Sequence, residues 1–358
     1  MKPSAGNLRR VVVKVGSSLL YTDKNTRTAD PSVVKNIARQ SATLVKSGVE
    51  VIIVSSGAIG LGMSKLGLRA RPKELSLLQA AAAVGQNELM NIYRQVFSSC
   101  GLLCGQVLLT WEDFVERRRY LNAKTTLQKL LQLGIVPVVN ENDTVAVDEI
   151  KFGDNDKLSA LVAGMVAAGL LLNLSDVDGL LTGDRKSVIR EVGAITADIR
   201  KVAAPSKNRS SVGGMITKLD SAGIAMKSGI PYVIANGRGK DTVSLAVEDP
   251  RSTGTLFSPG KGRLTARERW IAFGSRAKGR IFVDDGARKA LLCRKSLLCV
   301  GIVGSEGTFR TGDIVCISDA KKNDFARGKA GLPADTIASM KGKHFFKEAV
   351  HCDDIVIL

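Results

Sequence analysis

Lysine is rare inside a short apolar strand, yet Lys14 stands within "VVVKV" (11–15), just ahead of the turn "GSS" (16–18). Such a lysine needs an anionic partner: a bound phosphate or carboxylates from the 143–156 segment. The alternative is an edge strand whose lysine faces water. A second lysine, Lys218, falls in the first turn of a helix that the sequence starts near Ile216 or Thr217, after Gly213 and Gly214 in "SVGGMITK" (211–218). Successive backbone N–H groups at such a helix start can cradle phosphate oxygens, and Lys218 can reach the same anion. An ordinary helix start with a solvated lysine is the bland alternative. Opposite charge gathers in "EIKFGDNDKLSA" (149–160), which sets Asp154, Asn155 and Asp156 immediately before an apolar run. Lysines beside glycine turns suit phosphoryl transfer, where the protein positions donor and acceptor and neutralises charge on the moving group.

The elements that must hold these residues alternate in type. "VVVKV" (11–15), "VEVIIV" (49–54), "GQVLL" (105–109), "IVPVVN" (135–140) and "LLLNL" (170–174) read as buried strands, separated by helical stretches such as 75–98. After Asp30-Pro31, the residues Val34, Ile37, Ser41, Leu44 and Val45 mark one helical face. The implied fold is α/β: an open, mostly parallel sheet sandwiched between helices. Ligands of such sheets bind beyond the carboxyl ends of the strands. There the chain offers "GSS" (16–18), "SSGAIGLG" (55–62), "NENDTVAVDEIKFGDND" (140–156) and "SDVDGLLTGD" (175–184). One glycine turn is weak evidence, but four polar turns at one edge imply a shared ligand site.

Composition narrows the chemistry further. The 358 residues imply two or three domains, and 44% hydrophobic content suffices for a sizeable core. Only His344 and His351 occur, both near the C-terminus, so the main body has no Ser-His-Asp triad and no His-ligated metal. The formal charge of +18 points to polyanions or phosphorylated small molecules, or to a merely basic surface. The six cysteines complete no zinc pattern and read as buried free thiols of a reducing cytoplasm. The longest apolar run, Leu158 to Leu172, is too short for a bilayer and reads as a buried helix followed by a buried strand. No signal peptide is expected at the start, and no membrane association. Neither GxxxxGK[ST] nor a GxGxxG after the first strand is present, which disfavours P-loop and dinucleotide-binding folds. Near residue 258 the chain turns polar and basic, and a small β-rich module is expected beyond, with strands near 279–283, 300–303 and 313–317.

Together "VVVKVGSSLL", "VSSGAIGLG", "AAAVGQNELM", "VPVVNENDTVA", "EIKFGDNDKLSA", "LSDVDGLLTGD" and "GGMITK" resemble glutamate 5-kinase, of the amino acid kinase superfamily, over about residues 8–258. "GIVGSEGTFRTGDIVCISD" and "EAVHCDDIVIL" resemble a PUA domain, a small β-barrel-like module. The expected division is 1–258 kinase, 259–270 linker and 271–358 PUA domain. The resemblance implies ATP-dependent phosphorylation of the L-glutamate side chain to γ-L-glutamyl 5-phosphate, the first step of proline biosynthesis. It implies Mg²⁺ held mainly through the phosphates, proline as feedback inhibitor, and a dimer or tetramer. A separate glutamyl phosphate reductase would take up the unstable product, and RNA is the ligand the tail suggests.

Carried over by position, Lys14 and Lys218 would contact the phosphates and Asp156 would orient both lysines. Ser56, Gly57, Asp143 and Asn155 match glutamate-holding positions, with the Asn155 amide serving the backbone carboxylate and Asp143 the α-ammonium. Ser175, Asp176 and the loop Val212, Gly213, Gly214, Met215, Ile216, Thr217 to Lys218 match nucleotide positions. Val212, Ser175 and Leu181 depart from the residues often found there (Thr, Thr and Tyr), which bears on adenine and ribose recognition. A glutamate carboxylate is ionised at neutral pH (reference pKa about 4.3), so no general base is required. The rivals are an aspartate or carbamate kinase and, from the tail and the basic charge, an RNA-binding or RNA-modifying protein.

Overall fold

The computed structural model describes residues 8–20, 30–145, 155–203, 214–260, 264–274 and 277–358. They fall into two compact units, Met1–Asp113 with Arg118–Arg263, and Phe114–Arg117 with Leu264–Leu358.

The first unit carries strands β1 (Arg10–Val15), β2 (Glu50–Ser55), β3 (Cys104–Leu109), β4 (Val136–Glu141), β5 (Leu170–Ser175), β6 (Glu191–Val192), β7 (Tyr232–Asn236) and β8 (Thr255–Phe257). Its helices are α1 (Ser32–Lys46), α2 (Ala58–Lys65), α3 (Leu75–Ser99), α4 (Glu112–Val115, which runs on into the second unit), α5 (Arg117–Gln132), α6 (Asn155–Met165), α7 (Ala197–Ala203), α8 (Met215–Lys227) and α9 (Thr242–Glu248). The strands form one sheet in the order β3-β4-β2-β1-β5-β7-β8-β6. Every pairing in it is parallel except β7 with β8. The expected strands are all present, with ends shifted by a residue or two.

β1 lies in the middle of this sheet between β2 and β5, in register Lys14↔Val54 and Lys14↔Asn173. The edge-strand reading of Lys14 is therefore excluded. Alternation along β1 sends Val11, Val13 and Val15 into a core shared with Val34, Ile37 and Ala38 of α1 and Val243 and Ala246 of α9. Val12 and Lys14 take the opposite face, where α6 packs on β1 and α8 on α6. Since β2 is one neighbour of β1 and β5 the other, chain order switches direction at β1, which opens a crevice beyond its carboxyl end. The connecting backbone closes tightly there: Gly16 N donates to Leu174 O, Ser56 N to Val15 O and Gly237 N to Ser175 O.

The second unit holds β9 (Gly279–Val283), β10 (Ile302–Gly307), β11 (Ile314–Ser318), β12 (Asp324–Lys329) and β13 (Ile355–Ile357), with α10 (Ala266–Arg269), α11 (Asp285–Leu292) and α12 (Ala334–Met340). Its sheet order is β10-β9-β11-β12-β13, antiparallel except for β11 with β9. Ile281, Val283, Val315, Ile317 and Ala326 centre its core. Sequence reading missed β12 and placed β10 two residues early. Within this unit Trp270 Nε1 donates to Phe114 O at 3.1 Å, and residues 114–117 group with the residues from Leu264 on. All six cysteines are free, but only Cys299 is buried and Cys293 is exposed, which corrects the expectation of uniformly buried thiols. Among the described residues no helix is long and apolar enough to cross a membrane.

Candidate active site

Three charged side chains converge where β1, α6 and α8 meet. Lys14 Nζ donates to Asp156 Oδ1, and Lys218 Nζ donates to Asp156 Oδ2 at 2.9 Å. Exposure is 5% for Lys14, 2% for Asp156 and 7% for Lys218, so these charges are tolerable only because they are paired. Burial pushes the Asp156 carboxyl up, but the two ammonium groups outweigh it and hold the carboxyl well below the usual range. Asn173 Nδ2, from the strand beside β1, donates to Asp156 Oδ1 at 2.9 Å and also meets the Tyr232 hydroxyl. The Thr217 hydroxyl lies 3.2 Å from Asp156 Oδ2 and 2.9 Å from Gly214 O, so its proton serves one acceptor at a time. One carboxylate thus fixes two ammonium groups at the carboxyl edge of the central strand.

The local sequence explains this convergence. Lys14 reaches the α6 face because strand alternation puts it opposite the valines. Asp156 is in the first turn of α6, and Lys218 in the first turn of α8. Gly214 precedes α8 in extended conformation, and a Cβ there would meet nothing within 4 Å among the described residues.

Beside Asp156, Asn155 belongs to a different network. Its Nδ2 donates to Ser55 O at 2.8 Å, Ser56 Oγ at 3.0 Å and Asn140 Oδ1 at 2.8 Å. Asn140 Nδ2 in turn donates to Gln86 Oε1 at 2.8 Å. The Ser55 hydroxyl pairs with the hydroxyl of fully buried Tyr93 at 2.9 Å, and burial pushes that phenol up, so it stays neutral. Every member of this second network is uncharged. With the Asn155 amide nitrogen engaged three ways, the group it leaves to a ligand is Oδ1, an acceptor. The expected contact of its amide with a carboxylate would compete with these acceptors.

Gly57 follows Ser56 with φ 101°, and a Cβ there would lie 2.0 Å from Leu20 Cδ1, so this turn requires glycine. Asp143 is half-buried in the turn after β4. Ser175, at the end of β5, is buried with no partner for its hydroxyl among the described residues. Asp176 Oδ1 accepts from Ser18 Oγ at 3.1 Å. Met215 is half-buried and Ile216 is 40% exposed at the start of α8. Asp154, Val212 and Gly213 lie outside the described residues. Close by, Lys157 Nζ sits 4.0 Å from the centre of the Trp111 ring.

Lys14, Asp156, Thr217 and Lys218 are thus brought together, as are Ser56 and Asn155. Asn173, Asn140 and Gln86 were not singled out from sequence. A signal was available for Asn173, a polar residue between Leu172 and Leu174 in an apolar strand, and in part for Asn140, which follows the apolar run 136–139.

The model of the amino acid kinase family matches residues 9–236, and that of the PUA domain matches 279–347. Glutamate 5-kinase from a Thermoanaerobacter species is 40% identical over 366 aligned residues, covering 98% of each chain. The chain belongs to the glutamate 5-kinase family. Glutamate 5-kinases of Caldanaerobacter subterraneus (43%, 98% of each chain) and Dehalococcoides mccartyi (44%, 94% of this chain and 92% of that one) are similar over the same extent. Among solved structures, N-acetylglutamate synthase from Neisseria gonorrhoeae, in complex with coenzyme A and N-acetyl-glutamate, superposes with TM-score 0.53 at 14% identity. The superposition covers 72% of this chain and 62% of that one, and it speaks to the fold alone.

Proposed function

We infer that this chain transfers the γ-phosphoryl group of ATP to the side-chain carboxylate of L-glutamate, forming γ-L-glutamyl 5-phosphate in the first step of proline biosynthesis. The observation that carries the reading is the Asp156 carboxylate shared by Lys14 and Lys218 at the carboxyl end of β1. In our reading the two ammonium groups contact the phosphates and offset the charge that spreads over the transferred group. Asp156 positions them and takes no proton, since its carboxyl stays ionised at neutral pH. Ser175, Asp176 and residues 212–218 hold the nucleotide. Ser56, Gly57, Asp143 and Asn155 hold glutamate, the Asp143 carboxylate and Asn155 Oδ1 both facing its α-ammonium. The attacking carboxylate is already ionised, so no general base is assigned.

Mg²⁺, which offsets phosphate charge when bound, has no protein cage in this reading. Both Asp156 oxygens are engaged by Lys14, Lys218 and Asn173. Among the described residues, the one cluster of three potential ligands is His351, Cys352 and Asp353, in the second unit. The ion would travel on the ATP phosphates. We further propose a cytoplasmic dimer or tetramer that is inhibited by proline at the glutamate site and hands its acyl phosphate to a separate reductase. We assign residues 1–258 to catalysis and 271–358 to the PUA module, whose candidate ligand is RNA. The decisive test is ATP turnover with glutamate, with aspartate and with bicarbonate plus ammonia. Turnover dependent on glutamate is expected, and equal or greater turnover with either alternative overturns the assignment.

A further inference from the structure

We propose that Gln86 is a positioning residue for the acceptor amino acid, acting through Asn140 on Asn155. The inference rests on the reading of Asn155 as a glutamate-holding residue.

The direction of each amide in the chain is fixed from one end. Ser55 O is a backbone carbonyl and can only accept, so the Asn155 atom 2.8 Å away is its nitrogen. Asn140 must then present Oδ1 to Asn155 and turn its own nitrogen outward. The atom that receives that nitrogen, 2.8 Å away, must accept, and it is Gln86 Oε1. Without Gln86 the Asn140 amide loses one of these two hydrogen bonds, and its orientation is left to Asn155. A reversed Asn140 would set its NH₂ against the NH₂ of Asn155 and leave that side chain to Ser55 O and Ser56 Oγ.

Backbone packing holds Gln86 in place. A Cβ at neighbouring Gly85 would lie 1.8 Å from Ala58 O, and one at Gly62 would lie 1.7 Å from Ala81 O. Helices α2 and α3 therefore touch backbone to backbone, which leaves α3 no room to slide. Since α2 begins directly after Gly57, the contacts close a ring: Ser56, Gly57, α2, α3, Gln86, Asn140, Asn155 and back to Ser56 Oγ.

The test uses the full chain with Gln86→Leu, Asn140→Ala and the double variant. Gln86→Leu should raise KM for glutamate about three- to tenfold, the scale of one hydrogen bond, with KM for ATP and kcat changed by less than about twofold. In the Asn140→Ala background the same substitution should add almost nothing, because its route is already cut. Additive effects, equal rises in both KM values, or an unchanged glutamate KM would each overturn the proposal. If the leucine variant does not fold, Gln86→Met, unbranched and of similar length, carries the same expectation. A wild-type chain that ignores glutamate would overturn this proposal together with the functional reading; an active wild type with an unaffected Gln86→Leu overturns this one alone.

Discussion

Asn155 and Asp156 are neighbours at the start of α6, yet they join networks of opposite character. Asp156 is the hub of a charged cluster with Lys14 and Lys218, while Asn155 ties into serine, asparagine, glutamine and tyrosine groups that carry no charge. The contrast follows from what each side must hold. A transferring phosphoryl group needs positive charge fixed in advance, and a lone buried carboxylate is the means of fixing it. An amino acid brings its own charges, so a neutral, directional frame can set its orientation without adding a buried ion. One helix start thus serves two ligands by changing side-chain chemistry between adjacent positions.

The largest effect that would break this contrast is expected at Asp156. Asp156→Asn leaves two buried ammonium groups without their carboxylate and should cost about 3–5 kcal/mol of stability at neutral pH. Its carboxyl is held below the unfolded value of about 3.9. The contribution is therefore present above about pH 4 and is lost as pH falls below it, through the folded value. Denaturant midpoints at pH 7, 5 and 3 should show a gap between wild type and variant that is constant down to pH 5 and begins to narrow only at the acid end. A gap that stays constant with pH would mean that the pairing is not what stabilises.

Next in size, Lys14→Ala and Lys218→Ala should each lower kcat by about two to three powers of ten, matching about 3–4 kcal/mol of charge stabilisation. Near-normal kcat in both variants would remove the charged side from the mechanism. On the amino-acid side, Asn155→Ala and Asp143→Ala should raise KM for glutamate by about tenfold while KM for ATP moves far less, the size of a hydrogen bond to a charged group. Parallel rises in both constants would merge the two sides into one site. The smallest effect on catalysis is expected from ending the chain at Ser258. Glutamate-dependent turnover should persist, but the melting temperature should drop, because Phe114, 1% exposed, loses the Trp270 indole that donates to its carbonyl. An inactive soluble truncation would place part of the active site in the tail.

Strand and helix alternation made the first unit legible, since β1, β2, β4 and β5 are almost wholly buried and read as apolar runs. β6, of two residues, and β8, of three, are too short for periodicity to register. In the tail, β12 was hidden because "DFARGK" alternates weakly and carries three charges. At the site, Lys14 announced itself as a charge in an apolar strand. Spacing alone left its partner open among the carboxylates of 143–156, because Asp156 lies 142 positions away; it was the family resemblance that pointed to Asp156. Gln86 gave no signal of its own beyond its place in "AAAVGQNELM": it sits in a long helix, where one more glutamine reads as solvent-facing.

The contact of Lys157 with Trp111 gives the chain its own optical gauge. The sequence contains two tryptophans, and the other, Trp270, lies in the second unit. Trp111 carries an ammonium group 4.0 Å from its ring centre, supplied by the residue directly after Asp156. Any shift of the α6 start moves that charge against the indole and alters its emission. A Trp270→Phe chain would therefore report glutamate and ATP separately by intrinsic fluorescence, with no label and no coupled enzyme, and the order in which the two ligands settle becomes a stopped-flow measurement.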